Sequence, residues 1–537
     1  MKSQCVPFSQ IPHSSRLFLD FLSGAPSVQR FYPRSARFDS WFREAASGMQ
    51  YNSARRKQVA AVLEEQNTRW NASATVLQNI SRLRAGAAAV VTGQQVGLFG
   101  GPLFVLFKAI TAVKLAAEAS YSGIDCVPVF WLATEDHDLA EVNHASIPGP
   151  DGALQKLTTE SRGIEYSPVV RVSFGNEISA AVQSARELLG ESEITDCLGE
   201  AYRPGENFGS AFARLLARIF GELGVILLDP SDPELHRMAQ PLYRRAIEQA
   251  PELNEACLAR GRALEGASYH QQVKVTGSST LLFAVRDGAR IPIQQRTNGA
   301  ETFSVGRETI PRADLLAQVD SNPQDFSPNV LLRPVVQDYL LPTLAYAGGP
   351  AEIAYFAQAG VVYEALLGKT TPIVHRFSAT IVPEKSSRLI ERYKLNFTDL
   401  LHGPEKVREI IGQRMLPQHL QEAFEKAENG LAASLTSIHH AVAALDLTLA
   451  GAAEKARNKM IYQLNKLRSR AGRAELHRNE IVSRHAEFLS ATLFPNKALQ
   501  EREVAGIYFL AQNGVGLLGE LYEAFHTDCL DHQVISL

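Results

Sequence analysis

Residues 87–102 read Ala87-Ala88-Ala89-Val90-Val91-Thr92-Gly93-Gln94-Gln95-Val96-Gly97-Leu98-Phe99-Gly100-Gly101-Pro102, an apolar run that passes into a glycine-rich turn. An apolar helix candidate from Leu103 to Ser120 follows, and then a second apolar run, CVPVFWLA, over residues 126–133. Strand, loop, helix and strand in this order form a βαβ unit, whose strands lie parallel and whose crossover is right-handed. The expected fold class is therefore α/β, built on a parallel sheet.

Runs of the same kind recur at Gly224 to Leu228, after a helix at Phe212 to Leu223, and at Pro372 to His375, after a helix near Ala351 to Leu367. The core is thus discontinuous in sequence. Between its pieces, Gly152 to Phe174 and His270 to Thr302 alternate with period two and carry turn signals such as Arg286-Asp287-Gly288, the pattern of β-hairpin insertions placed to roof a site. Residues 1 to about 85 predict helices, among them an amphipathic stretch from Arg55 to Arg84 with Val59, Val62, Leu63, Trp70, Leu77 and Ile80 at helical spacing.

Composition changes from Pro383 onward. No proline occurs between Pro417 and Pro495, and Leu420, Phe424, Leu431, Ile438 and Leu445 recur at four- and seven-residue intervals. One helix over that span would reach about 115 Å at 1.5 Å per residue, so a hairpin folding back near Asp446 to Gly451 is the economical reading. Its second arm is basic, through Lys455, Lys466, Arg468, Arg470, Arg473 and Arg478. A solvated coiled-coil face explains these charges most simply; a dimer contact or a phosphate clamp are the alternatives.

The chain has 537 residues, 45% hydrophobic and 21% charged, with 54 Lys plus Arg against 57 Asp plus Glu. A net charge of -3 provides no positive field for nucleic acid or anionic lipid, so a small-molecule substrate is expected. Cys5, Cys126, Cys197, Cys257 and Cys529 are scattered and never form C-x-x-C, so no disulfide framework or zinc knuckle is expected and a reducing cytoplasm fits. The N-terminus lacks an uninterrupted apolar core, and the most apolar stretch, Val96 to Ala117, is broken by Lys108 and Lys114; no membrane span is expected.

Three segments carry chemistry. The glycines between the first strand and its helix allow a close approach of backbone to ligand, and the helix start favours an anion, which makes Gly93, Gln94, Gln95, Gly97, Gly100 and Gly101 candidate substrate contacts. The spacing matches neither G-x-G-x-x-G nor a P-loop. Lys108 is either an anion partner or a surface lysine. Directly after the second strand comes Thr134-Glu135-Asp136-His137-Asp138-Leu139-Ala140-Glu141-Val142-Asn143-His144, four carboxylates and two imidazoles where α/β folds place ligands. If a helix begins here, Thr134 or Asp136 caps it and Glu141 shares a face with His137 or Asp138. His137, Asp136, Asp138 and His144 are the catalytic candidates, with Glu135 and Asn143 as substrate contacts. The cluster suits Mg²⁺ or general acid/base work better than zinc, since H-E-x-x-H is absent; no metal ligand set is assigned. The third segment, Arg333 to Tyr355, places Gly348-Gly349-Pro350 before a helix. Two such turns suggest two sides of one crevice, with Tyr346, Gly348, Gly349 and Glu352 as contacts. His270 and Arg376 are weaker candidates.

At TGQQVGLFGGPLF, FWLATEDHDLAEVNH, SPNVLLRPVVQDYLLPTLAYAGGPAEIAYFAQ and PIVHRFS, and on through the helical tail, the chain resembles the BshC family of cysteine ligases of bacillithiol biosynthesis. The resemblance implies a Rossmann-like core with inserted elements, a C-terminal α-helical coiled-coil domain and homodimerisation through it. On this basis residues 1–382 form the core, with insertions near 146–210 and 266–325, residues 383–510 the coiled-coil domain, and residues 511–537 a segment returning to the core. It also implies the joining of L-cysteine to glucosaminyl malate, cysteine carboxylate to glucosamine amine, to give bacillithiol. Amide formation from a carboxylate needs an activated acyl group, so ATP/ADP, with Mg²⁺, is the expected cofactor. In that scheme Gly93 to Gly101 cradle an anion, Glu135, Asp136 and Asp138 hold Mg²⁺ or the cysteine ammonium, and His137 or His144 moves the proton. The competing readings are a metal-dependent hydrolase of a sugar or amide, and a non-catalytic coiled-coil assembly protein.

Overall fold

The computed structural model describes residues 2–160, 163–296, 301–476 and 480–537. Its central sheet has five parallel strands in the order β13-β12-β2-β3-β6, formed by Ile373–His375 (β13), Thr343–Gly348 (β12), Ala88–Gln94 (β2), Cys126–Leu132 (β3) and Ile226–Leu228 (β6). Both faces are covered, which is why these strands are continuously apolar rather than alternating. Val127, Val129 and Trp131 pack with Leu63 and Ile80 on one face, and Phe130 and Leu132 pack with Ile110 on the other. The βαβ reading therefore holds, with the crossover helix at Phe104–Tyr121.

Strands β2, β3 and β6 succeed one another outward in one direction, while β12 and β13 lie on the other side of β2. The chain thus switches direction between β2 and β12. Beyond the carboxyl ends of strands at such a switch point an α/β sheet leaves a crevice. Register places Tyr346 beside Val91 and Gln94 beside Leu132, so the loops after β2, β3 and β12 emerge together at this edge.

Two insertions interrupt the core. Between β3 and β6 lies the hairpin His144–Pro148 (β4) and Leu154–Thr158 (β5). Between β6 and β12 lies an antiparallel sheet, β10-β9-β8-β7-β11, of Glu308–Pro311 (β10), Thr302–Val305 (β9), Ala289–Gln295 (β8), Ser279–Arg286 (β7) and Phe326–Pro328 (β11). The β7–β8 turn holds Asp287 at φ 49° and Gly288 at φ 83°, the left-handed pair that a two-residue hairpin requires. The expected hairpin within Gly152 to Phe174 instead starts earlier, at β4, and only a single 3-10 turn, Val169–Arg171, follows it.

Several expectations are corrected. The N-terminal region is not wholly helical: Lys2–Val6 (β1) pairs antiparallel with His532–Ser536 (β15), which pairs in parallel with Ala379–Val382 (β14). The amphipathic stretch is two helices, Ser53–Arg69 and Ala74–Ala85, because the Ser73 side chain accepts from the Val76 N–H and starts a new helix. Cys5 and Cys529 form a disulfide with Cα atoms 6.7 Å apart, although 524 residues separate them. Strand pairing of the two termini created that proximity, which spacing along the chain did not show. Cys126, Cys197 and Cys257 are free and buried.

Beyond β14 the chain forms the helical hairpin, Gln418–Leu445 and Ala450–Leu476, joined through Asp446, whose side chain accepts from the Thr448 N–H at 2.8 Å. Arg468 reaches Glu428 across the hairpin at 3.1 Å; Arg478 lies outside the described residues. Phe424 is buried, whereas Ile438 and Leu445 are exposed. No described helix is long and apolar enough to cross a membrane.

The short helix Gln500–Glu503, which follows the helical hairpin, is tied to the core by a buried ion pair. Arg376 donates to Glu501 at 2.7 Å and to the Phe377 carbonyl at 2.8 Å, and Glu501 also accepts from the Ala379 N–H at 3.0 Å. Removing one partner leaves the other charge buried and uncompensated. Glu501→Gln is expected to cost about 3–5 kcal/mol of stability, read as a lowered melting temperature; an unchanged transition would refute this role.

Candidate functional site

A cavity of about 650 Å³ opens at the switch point. The loop after β2 contributes Gly93, Gln94 and Gln95, the loop after β3 contributes Glu135, Asp136 and Glu141, and the turn after β12 contributes Gly349, Pro350 and Glu352. The loop after β2 and the turn after β12 both line this crevice, the first through Gly93 to Gln95 rather than through its Gly100-Gly101-Pro102 turn. At Gly93 a Cβ would stand 2.8 Å from the Trp131 carbonyl oxygen, so only glycine lets β2 run this close to β3 at the cavity mouth.

Lys108, from the crossover helix, is not a surface residue but is 3% exposed beneath the floor. Its ammonium donates to the Gly93 carbonyl at 2.7 Å and to Gln94 Oε1 at 2.8 Å, and pairs with Glu352 Oε2 at 2.7 Å. Glu352 further accepts from Tyr346 Oη at 2.6 Å and from the Gly349 N–H at 2.6 Å. Burial pulls the Lys108 pKa down to about 8, with Glu352 opposing. The Glu352 carboxyl is held low against burial, chiefly by Lys108.

Six cations line the cavity, Lys108, Lys274, Arg290, Arg333, Arg376 and Arg502, against the carboxylates Glu135, Asp136, Glu141 and Glu352. The lining is therefore electropositive although the chain is not. Arg333 donates to Gln337 Oε1 at 3.0 Å and Tyr355 Oη at 2.9 Å and lies over the Tyr346 ring, with no carboxylate within 4.0 Å among the described residues. A charge so held is available to an anionic ligand.

The acidic segment is divided. Glu135 Oε1 lies 3.1 Å from Nε2 of the buried His236. Asp136 accepts from Gln95 Nε2 at 2.7 Å, and the same amide donates to Glu141 at 2.8 Å. His137 faces a neighbouring cavity of about 370 Å³, where Arg290 Nη1 donates to its Nδ1 at 3.1 Å. A guanidinium only donates, so Nδ1 is the acceptor and Nε2 carries the proton. Burial first, then Arg290, lowers the His137 pKa.

Asp138 lines neither cavity. It, rather than Thr134 or Asp136, caps the single-turn helix Leu139–Val142, accepting from the Glu141 N–H at 3.2 Å. Thr134 donates instead to Asp229. Asn143 and His144 bond each other at 3.3 Å at the start of β4 and line neither cavity. Glu135, Asp136 and Asp138 thus do not converge as the expected Mg²⁺ set, and among the described residues no group of three or more His, Cys, Asp or Glu is placed to hold a metal.

The glycine loop likewise contributes only its first part. After Gln95 the chain turns inward through buried Leu98 and Phe99; the Gly100 N–H donates to Tyr202 Oη at 3.2 Å, and the Gly101 carbonyl accepts from the Gly506 N–H at 3.1 Å. Gly97, Gly100 and Gly101 are packed against the core and do not line the cavity, nor does Gly348, whose Cβ would meet Glu352 Cβ at 2.9 Å. His270 is exposed and bonds Gln272, whereas Arg376 lines the cavity. Sequence reasoning passed over Arg290 and His236, which lie in ordinary amphipathic elements far along the chain, and named no role for Arg333 although it opens the third segment. For His236 the local signal was its i, i+7 placement with Tyr243 on one helix face.

Two family models match in sequence: the N-terminal Rossmann-like domain of the bacillithiol biosynthesis protein BshC over residues 1–377, and its C-terminal coiled-coil domain over residues 379–537. Relatives named "Putative cysteine ligase BshC" are similar over their full lengths or nearly so. That of Koribacter versatilis is 47% identical over 100% of both chains, that of Solibacter usitatus 35% over 100% of both, and that of Salinibacter ruber 34% over 97% of this chain and 96% of its own.

As pH rises through about 8, Lys108 loses the charge that joins the β2 loop to Glu352. Anion affinity of the cavity is therefore expected to fall above pH 8 in a calorimetric titration with a dicarboxylate, and Lys108→Met should abolish that inflection; a pH-independent affinity from 7 to 9.5 would contradict the assignment.

Proposed function

Because the chain belongs to the BshC family, we propose that it is an ATP-dependent ligase forming an amide between L-cysteine and glucosaminyl malate, the step that yields bacillithiol. The observation that carries this reading is the electropositive cavity at the sheet's switch point, with Arg333 paired to no carboxylate among the described residues. A malyl group presents two carboxylates, and a cation surplus with one free guanidinium is complementary to them.

In the reaction a C–N bond forms between the cysteine carbonyl carbon and the glucosamine nitrogen, a carboxylate C–O bond breaks, and the amine gives up its protons. The glucosamine ammonium must lose a proton before its lone pair attacks. His137 is poorly suited to accept it, since its Nδ1 lone pair is engaged by Arg290, and His144 stands outside the cavity. Glu135 faces the cavity and takes that role, while His137 Nε2–H is a donor toward the smaller cavity. A nucleoside triphosphate supplies, when bound, the acyl activation that makes the carboxylate oxygen a leaving group. Asp136 and Glu141 are already bridged by the Gln95 amide, and no metal-holding group occurs among the described residues, so the magnesium of the nucleotide is assigned no ligand from this chain. The metal-dependent hydrolase reading needs a metal held by the protein itself, and no such ligand group occurs among the described residues.

The division into a core at 1–382, a coiled-coil domain at 383–510 and a returning segment at 511–537 belongs to the same proposal, as does a cytoplasmic homodimer. Exposed Ile438, Leu445, Leu447, Met460 and Tyr462 on the helical hairpin support contact with a second copy.

The test is deletion of the gene in its host with profiling of low-molecular-weight thiols, alongside the purified protein with cysteine, glucosaminyl malate and Mg-ATP. Loss of bacillithiol with accumulation of glucosaminyl malate, and product formation in vitro, are expected; unchanged thiols together with no product would refute the reading. Arg333→Met should raise KM for glucosaminyl malate about 10–100-fold, the equivalent of one charge-assisted bond, and leave KM for cysteine nearly unchanged.

A further inference from the structure

The structure contains a hydrogen-bonded chain behind Glu135 that the reaction scheme above does not use. Glu135 follows β3, and its Oε1 meets Nε2 of His236, which is 3% exposed and stands on the helix Pro233–Glu248 directly after β6. Nδ1 of the same ring lies 3.3 Å from Tyr243 Oη, seven residues on and on the same buried face. Burial first, then the charge of Glu135, raises the Tyr243 phenol well above its usual pKa, so it remains a hydroxyl.

A carboxylate only accepts, so Nε2 carries a hydrogen and donates to Glu135; in the neutral ring Nδ1 accepts from the Tyr243 O–H, and in the charged ring it donates to the same oxygen. Either way the imidazole is held in one orientation from behind, and it fixes Oε1 in front. Glu135 itself is 15% exposed and lines the cavity. Its second oxygen has no hydrogen-bond partner among the described residues. A pair serving packing alone has no need of an open end at a ligand cavity.

We infer that His236 is a positioning residue, holding Glu135 with one oxygen aimed at the substrate amine as its proton acceptor. The inference rests on the ligase reading and deepens it. In the step, an N–H bond of the glucosamine ammonium breaks, its electron pair stays on nitrogen for attack, and an O–H bond forms at Glu135 Oε2. The proton then passes to solvent. His236 orients the acceptor without touching the substrate. The ionisable groups around Glu135 are Asp136 on its own loop, Asp229 after β6, Arg290 on β8, and His236 and Tyr243 on the helix.

The experiment is steady-state kinetics of the full-length protein with cysteine, glucosaminyl malate and Mg-ATP across pH. His236→Leu is expected to lower kcat about 10–100-fold, within the range of a misaligned general base, while both KM values change less than about threefold. His236→Gln, whose amide N–H can still donate, should recover most of the rate. Glu135→Gln combined with His236→Leu should be no slower than Glu135→Gln alone, because the two act as a unit. His236→Met, of similar volume, replaces His236→Leu if the latter does not fold. Wild-type kinetics in these variants, or additive losses in the double variant, would overturn the positioning role while leaving the ligase reading intact. A wild-type protein that forms no amide would overturn both.

Discussion

Everything at the switch point depends on one buried ammonium. Lys108 rises from the crossover helix into a space with almost no solvent and bonds the carbonyl at the end of β2, the side chain after it, and the carboxylate that opens the helix after β12. The desolvation of that charge is offset by three short bonds. In return, two loops on opposite sides of the switch point are held at one separation. Gly93 allows the close packing of β2 on β3, and Glu352 both caps its own helix and completes the lysine's shell.

On this frame the cavity acquires two electrostatic halves. Arg333 and Arg376 are set by the segments flanking β12 and β13, and Arg290 arrives from the inserted antiparallel sheet. The acidic loop after β3 supplies the opposing side, yet its members are separated by their partners: Glu135 to His236, Asp136 and Glu141 to Gln95, and Asp138 to a helix cap. Density of carboxylates in sequence is therefore not density in space. The protein belongs to a family with a Rossmann-like domain followed by a coiled coil, and the insertions let that common core carry a site of its own.

Much of the fold was legible because local chemistry enforced it. Apolar runs on both sides of a helical crossover leave a parallel sheet as the economical arrangement, and Asp287-Gly288 can close a two-residue hairpin because both positions tolerate left-handed backbone. The long proline-free tail folded back at Asp446 as its length demanded. β12 was missed because Thr343–Gly348 is short and lies between two proline-marked segments. β1 was missed because a five-residue strand pairing with the far terminus leaves no local period to detect.

The candidate site was legible only in outline. Sequence by itself determined that the loops after β2 and β3 meet, since both must emerge at the carboxyl edge of a parallel sheet, and the turn at Gly348-Gly349-Pro350 suggested the other side of the same crevice. It determined too that glycine and carboxylate chemistry would be concentrated there. Only the tertiary structure decided which side chains face the cavity: Gln95 but not Gly100, Glu135 but not Asp138, and Arg290, Arg333 and His236 from elements with no distinguishing motif. The physical reason is that backbone pattern is governed by neighbours along the chain, whereas a side chain's partner and its solvent exposure are set by groups hundreds of residues away.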